Sequence, residues 1–199
     1  EGSDASPQML AACRARAEQL ALQPALKQQR LEELSSERHF ALIFIPSGSF
    51  SLITDETAVL SGLVRIRELL APNGRFIVEI ERRDRTRYSE LSGTWGGRWV
   101  TRPDGAKIVL SWLSQYVAPT GISSSLHRYE LVKDGRLLAQ EFEDLELKLY
   151  ELSEFRELLR RAGFTRIQAL TPYSLEPVDE QSSADAEDGV IFACSSDAV

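Results

Sequence analysis

At 199 residues, with 43% hydrophobic and 27% charged positions, the chain has the composition of an ordinary globular domain and the length of one rather than two. Its 23 basic residues are outnumbered by 30 acidic ones and gather in no stripe, so the counterion-release term on which nucleic-acid binding depends is missing at a net charge of -7. The longest apolar runs, residues 41–46 and 75–80, are strand-sized and far below the roughly 20 residues that span a bilayer.

The first residues, Glu1-Gly2-Ser3-Asp4, carry neither an initiator methionine nor a signal-peptide pattern, and the chain is expected to start inside a longer gene product. Cys13 and Cys194 fall in apolar patterns and are expected to be buried thiols of a reduced compartment, the cytoplasm by default. His39 and His127 are too isolated to suggest a zinc site, and no metal is expected.

Ser6 as cap, Pro7 at the first helical position and Leu10, Cys13, Ala17 and Leu20 at helical spacing predict a helix over residues 6–22. A short strand is expected at 25–29. The continuous apolar run of residues 40–46 predicts a strand buried on both faces. Thr54 can cap a helix over 55–71, whose stripe is Val59, Leu60, Leu63, Ile66 and Leu70 and whose stop is Asn73-Gly74. Residues 75–81 then read as another buried strand. Strands alternating with amphipathic helices imply a parallel sheet.

From about 93 to 150 the pattern becomes alternating, with turn signals at Pro103-Asp104-Gly105, Pro119-Thr120-Gly121 and Lys133-Asp134-Gly135. Strands are expected at 99–101, 107–117, 123–132 and 137–150, forming an antiparallel insertion. The helical pattern resumes with Ser153 as cap, Phe155, Leu158, Leu159 and Ala162 as stripe and Gly163 as terminator. Strands at 165–170 and 190–194 complete the chain, with an acidic surface loop at 176–188 between them.

The stretch Gly2-Ser3-Asp4-Ala5-Ser6-Pro7-Gln8-Met9-Leu10 resembles the Gly-x-Asp-x-Ser-x-x-Met-Leu segment that follows the second strand of class I S-adenosylmethionine-dependent methyltransferases. Leu70-Ala71-Pro72-Asn73-Gly74-Arg75 is similar to that family's turn before its fifth strand, and Ala162-Gly163-Phe164 to its turn before the sixth. The resemblance implies an α/β fold: a Rossmann-like methyltransferase sheet, incomplete at the N-terminus, with an antiparallel β insertion. Residues 1–81 and 151–199 would form the partial core, and 82–150 the insertion. The family's first strand and Gly-x-Gly-x-Gly loop have no counterpart, since none of the 12 glycines forms that pattern. That strand lies between the second and fourth in the family order, so the two halves of the sheet are expected to lack a common partner.

The resemblance implies that S-adenosylmethionine is the cofactor. Asp4 would accept its ribose hydroxyls, by the logic that places an acidic residue at the same strand end in dinucleotide sites, with Ala5 beside it. The alternative is that Asp4 is only a turn residue. Arg30 stands where many relatives have an aspartate at the adenine amino group, so adenine would be held by backbone N–H groups near Arg30 and Leu31. Met9 and Leu31 would supply apolar faces, or be core. Ile45, Pro46 and Phe50 would follow the fourth strand at the carboxyl edge, Phe50 either covering the methyl donor or anchoring the next helix. In the insertion, Trp112, Tyr116 and Tyr129 would line an acceptor pocket, with His127 as catalytic base; Tyr129 and His127 share a strand face by spacing alone. The implied activity is methyl transfer to nitrogen or oxygen of a small-molecule acceptor, by a chain able to form a homodimer or to exchange strands. A non-catalytic methyltransferase-like module is the alternative, and a nicotinamide-linked oxidoreductase a weaker one.

Overall fold

A computed structural model describes residues 1–82, 85–172, 174, 176–178 and 189–195, with residues 85–87 described in backbone only. The order of elements is β1 (Gly2–Asp4), α1 (Pro7–Gln19), β2 (Leu26–Gln28), β3 (Phe40–Ile45), α2 (Glu56–Leu69), β4 (Leu70–Glu81), α3 (Arg85–Leu91), β5 (Trp95–Thr101), β6 (Lys107–Val117), β7 (Ile122–Lys133), β8 (Arg136–Lys148), α4 (Leu152–Arg161), β9 (Arg166–Leu170) and β10 (Gly189–Ser195). One-turn 3-10 segments follow β2 at Leu31–Glu33 and β3 at Ser49–Leu52. Most of the loop expected at 176–188 lies outside the described residues.

Three sheets result. β1 and β2 form a parallel pair. β3 and β4 are parallel and continue into β10 and β9, each antiparallel to its neighbour, in the order β3-β4-β10-β9. β5 to β8 form an antiparallel meander. Among the described residues β1 is not paired with β3, so the two α/β pieces have no strand in common.

The core lies on one face of the four-stranded sheet. Phe76, Val78 and Ile80 of β4 and Val190, Phe192 and Cys194 of β10 alternate with outward residues and meet Val59, Leu63 and Ile66 of α2 and Phe155, Leu158 and Leu159 of α4. Burial pushes the Cys194 thiol up to about 12, which makes it an inert core group. The β1–β2 layer is tied to this body through Leu31, whose side chain packs where a Cβ on Gly62 of α2 would stand, its Cδ2 2.6 Å away. Alanine at Gly62 would displace it.

Several local expectations are corrected by tertiary context. β3 is an edge strand with one face on the core, so Leu42 and Phe44 are 51% and 63% exposed and the strand is not buried on both faces. Cys13 is exposed, because only Leu10 and Ala17 of α1 find a surface to cover. The cap of α2 is Asp55, whose carboxylate accepts the Ala58 N–H at 2.7 Å, and not Thr54. α4 is capped two residues earlier than expected, by Glu151 and not Ser153. The glycine terminator of α4 is present as expected: Gly163 has φ 94, which an L side chain rarely adopts. α3 had no periodic signal in the sequence.

Candidate active site

Several of the predicted cofactor residues lie at the carboxyl ends of their strands. Asp4 closes β1, Arg30 follows β2, and Ile45 and Pro46 lie at the end of β3. The Asp4 Oδ1 accepts the Ser6 N–H at 2.8 Å, so the residue does act in the turn, and Oδ2 has no hydrogen-bond partner among the described residues. The Ala5 carbonyl accepts from Gln28 Nε2 at 3.3 Å, which joins the two strand ends. Met9 is 60% exposed and is not a core residue.

Two predicted residues are placed elsewhere. Phe50 is 1% exposed, with its ring 5.3 Å edge-on from Phe155 and 6.3 Å from Tyr150; it anchors the core and has no face to offer a ligand. The Leu31 side chain is spent on Gly62. The Arg30 N–H points to Glu33 Oε2 at 3.4 Å, so the backbone contact expected for adenine already has a partner there, and the Arg30 guanidinium lies 3.8 Å from Glu32.

The insertion residues fall on one face. The register pairs Trp112 with His127, His127 with Glu143, Leu110 with Tyr129 and Tyr116 with Ser123. Trp112, His127, Tyr129 and Tyr116 therefore share a face, the one that α3 covers at its base through Tyr88, 5.7 Å from the Tyr116 ring. Trp112 lies flat because Gly96 opposite it has no side chain: a Cβ there would be 2.6 Å from the indole nitrogen. The His127 ring is 6.4 Å from Trp112 and 6.3 Å from Tyr129, and His127 Nδ1 is buried without a hydrogen-bond partner among the described residues. The Tyr129 hydroxyl donates to Glu143 Oε2 at 2.9 Å; desolvation, then Glu143, raises its pKa above the ordinary phenol value. Sequence reasoning missed Glu143, which no pattern within β8 marks and only the β7–β8 register brings beside His127.

The opposite face carries Trp95, Trp99, Leu113, Leu126 and Phe142, with Trp95, Trp99 and Phe142 all more than 60% exposed. Arg128 lies 6.0 Å from the Trp95 ring and Lys107 6.0 Å from Trp99. A separate cleft of about 400 Å³ lies between the insertion base, α2 and α4. It is braced by Arg161–Glu56 at 2.8 Å and Lys148–Glu154 at 2.9 Å, and it contains none of the predicted site residues. No group of three metal-ligating side chains occurs among the described residues.

No protein-family model and no curated protein sequence matches the chain. Solved structures do. A S-adenosylmethionine-dependent methyltransferase from Clostridium acetobutylicum superposes with a TM-score of 0.77 at 20% identity, over 98% of this chain and 74% of the other. The sugar N-methyltransferase KedS8 from Streptoalloteichus gives 0.73 at 17%, over 98% and 70%. CalS10, an amino pentose methyltransferase from Micromonospora echinaspora solved with S-adenosylmethionine bound, gives 0.70 at 15%, over 97% and 72%. Superposition at these scores across nearly the whole chain shows that this protein has the Rossmann-like fold of the S-adenosylmethionine-dependent methyltransferases.

Proposed function

We propose that the chain takes part in S-adenosylmethionine-dependent methyl transfer to nitrogen or oxygen of a small-molecule acceptor. The observation that carries this reading is Asp4, a carboxylate with one oxygen unengaged, at the carboxyl end of β1 in a methyltransferase fold. The names of the neighbours, a sugar and an amino pentose methyltransferase, favour a small acceptor over nucleic acid, as does the net charge of -7. Residues 1–81 and 151–199 would supply the donor side and 82–150 the acceptor side. The exposed Met9 and the Ile45-Pro46 end of β3 suit the adenosine end of the donor, whereas residues 1–199 contain no Gly-x-Gly-x-Gly loop for its methionine end.

The donor would supply an electrophilic methyl group. The chain's own contribution is proximity and orientation. Trp112 gives the acceptor a flat apolar wall, Tyr129 and Glu143 give it polar partners, and His127 can take the proton that the acceptor loses. A second reading is a non-catalytic binding module on the same fold, with the insertion as its binding surface. The free thiols of Cys13 and Cys194 suit a reduced compartment such as the cytoplasm, and no described helix is long and apolar enough to cross a membrane.

Calorimetric titration with S-adenosylmethionine and S-adenosylhomocysteine tests the donor assignment. Asp4→Ala should weaken both by about 1 to 3 kcal/mol, the range for hydrogen bonds to a charged group. Asp4→Asn keeps an oxygen for the Ser6 N–H and should still weaken both, which separates ribose contact from turn geometry. Equal affinity in parent and both variants would remove Asp4 from the site.

The outer face of the insertion is read as the contact with a second copy. Lys107 and Arg128 stand on it beside the tryptophans, and Asp144 and Glu146 of β8 lie on the same face, so a twofold axis can set acidic against basic groups. Sedimentation should give a dimer for the parent across the micromolar range and a monomer for the Trp99→Glu, Phe142→Glu double variant. A monomeric parent would dismiss the dimer.

A further inference from the structure

Glu79 stands near the carboxyl end of β4, on the sheet face turned away from the core and in register with Ile191 of β10. Its Oε2 accepts the Ser47 N–H at 2.7 Å. Among the described residues no lysine or arginine pairs with it. Ser47 and Gly48, with φ 57 and 65, form the left-handed turn that directly follows Ile45 and Pro46. Glu81, two residues along β4, holds the other side of that turn: a Cβ on Gly48 would stand 2.6 Å from its Oε1. The turn at the end of β3 is thus clasped by carboxylates, and among the described residues no side chain neutralises the negative charge of Glu79.

We propose that Glu79 is a specificity-determining residue that favours the cationic methyl donor over the demethylated product. The inference rests on the reading of this strand edge as the donor site. In the transfer, the acceptor lone pair forms the new bond to the methyl carbon. The carbon–sulfur bond breaks with its electron pair going to sulfur, so a sulfonium cation becomes a neutral thioether. A fixed carboxylate behind the Ile45-Pro46 end of β3 attracts the first and not the second. It strengthens donor binding and leaves product release unhindered.

The test is calorimetric and needs no acceptor. E79Q retains an oxygen for the Ser47 N–H and removes the charge. Its affinity for S-adenosylmethionine should fall about 3- to 10-fold, the scale of one partly screened charge at a site edge. Its affinity for S-adenosylhomocysteine should stay within about twofold, and the discrimination should shrink as salt is raised. E157Q, on the exposed side of α4, serves as the control for a general loss of negative field and should leave the ratio of the two affinities unchanged. A ratio unchanged in E79Q, or an equal loss for both ligands as expected of a purely structural clasp, overturns the inference while the donor-site reading stands. A parent that binds neither ligand overturns that reading, and the inference with it.

Discussion

Removing residues 83–148 and joining Arg82 to Leu149 by a short glycine linker should abolish methyl transfer, by about three orders of magnitude or more, and leave the α/β body folded. The cut is set by the structure: the Tyr150 N–H donates to the Glu81 carbonyl at 3.1 Å and Arg82 bridges to Tyr150, so the two ends of the insertion already lie side by side. Leu149 and Tyr150 must stay, since they are 0% and 1% exposed in the core. Among the described residues β5 to β8 share no ladder with the other sheets, and removing Lys148 together with the insertion leaves Glu154, already 36% exposed, open to water rather than buried without a partner. Losing the wall formed by Trp112, His127 and Tyr129 removes the orientation that such a reaction draws on, and effective molarities far above three orders of magnitude are known for oriented partners. Affinity for S-adenosylhomocysteine should change by no more than about threefold. Turnover of the parent's acceptor by the shortened protein would remove the insertion from the acceptor site.

Phe155→Ala should destabilise the protein by about 3 to 5 kcal/mol, the usual cost of truncating a fully buried aromatic. Phe155 is the centre of the aromatic cluster, with Tyr150 and Phe192 each 5.0 Å away and Phe50 at 5.3 Å. It joins four segments: the turn after β3, the end of the insertion, α4 and β10. No neighbour can collapse into the space without leaving another void, because each is itself held in the same cluster. Against a total of about 5 to 15 kcal/mol, this is a large share. Urea unfolding at one fixed protein concentration measures it, as a lower midpoint with the slope unchanged. A midpoint within about 0.5 kcal/mol of the parent would mean that the cluster is not the centre of the fold.

The sequence alone determined the elements whose signals are local. Helix punctuation such as Ser6-Pro7 and Gly163, the strand-sized apolar runs and the turns of the insertion fix backbone conformation over a few residues, and α1, α2, α4 and all four insertion strands were legible from them. The order of weak motifs carried the fold. The side chains of the site were less legible, because their roles depend on partners far away in the chain. Phe50 and Met9 both looked ready for a ligand, and packing against Phe155 took one into the core while the other stays 60% exposed. Leu42 and Phe44 looked like residues of a central strand until strand order put β3 at an edge. Period two placed His127 with Tyr129, but only cross-strand register could add Trp112 and Glu143 to that face. Glu79 carries no signal of its own within the strand read at residues 75–81, and its place in the turn comes from the Ser47 N–H, 32 residues earlier, which tertiary folding brings to 2.7 Å.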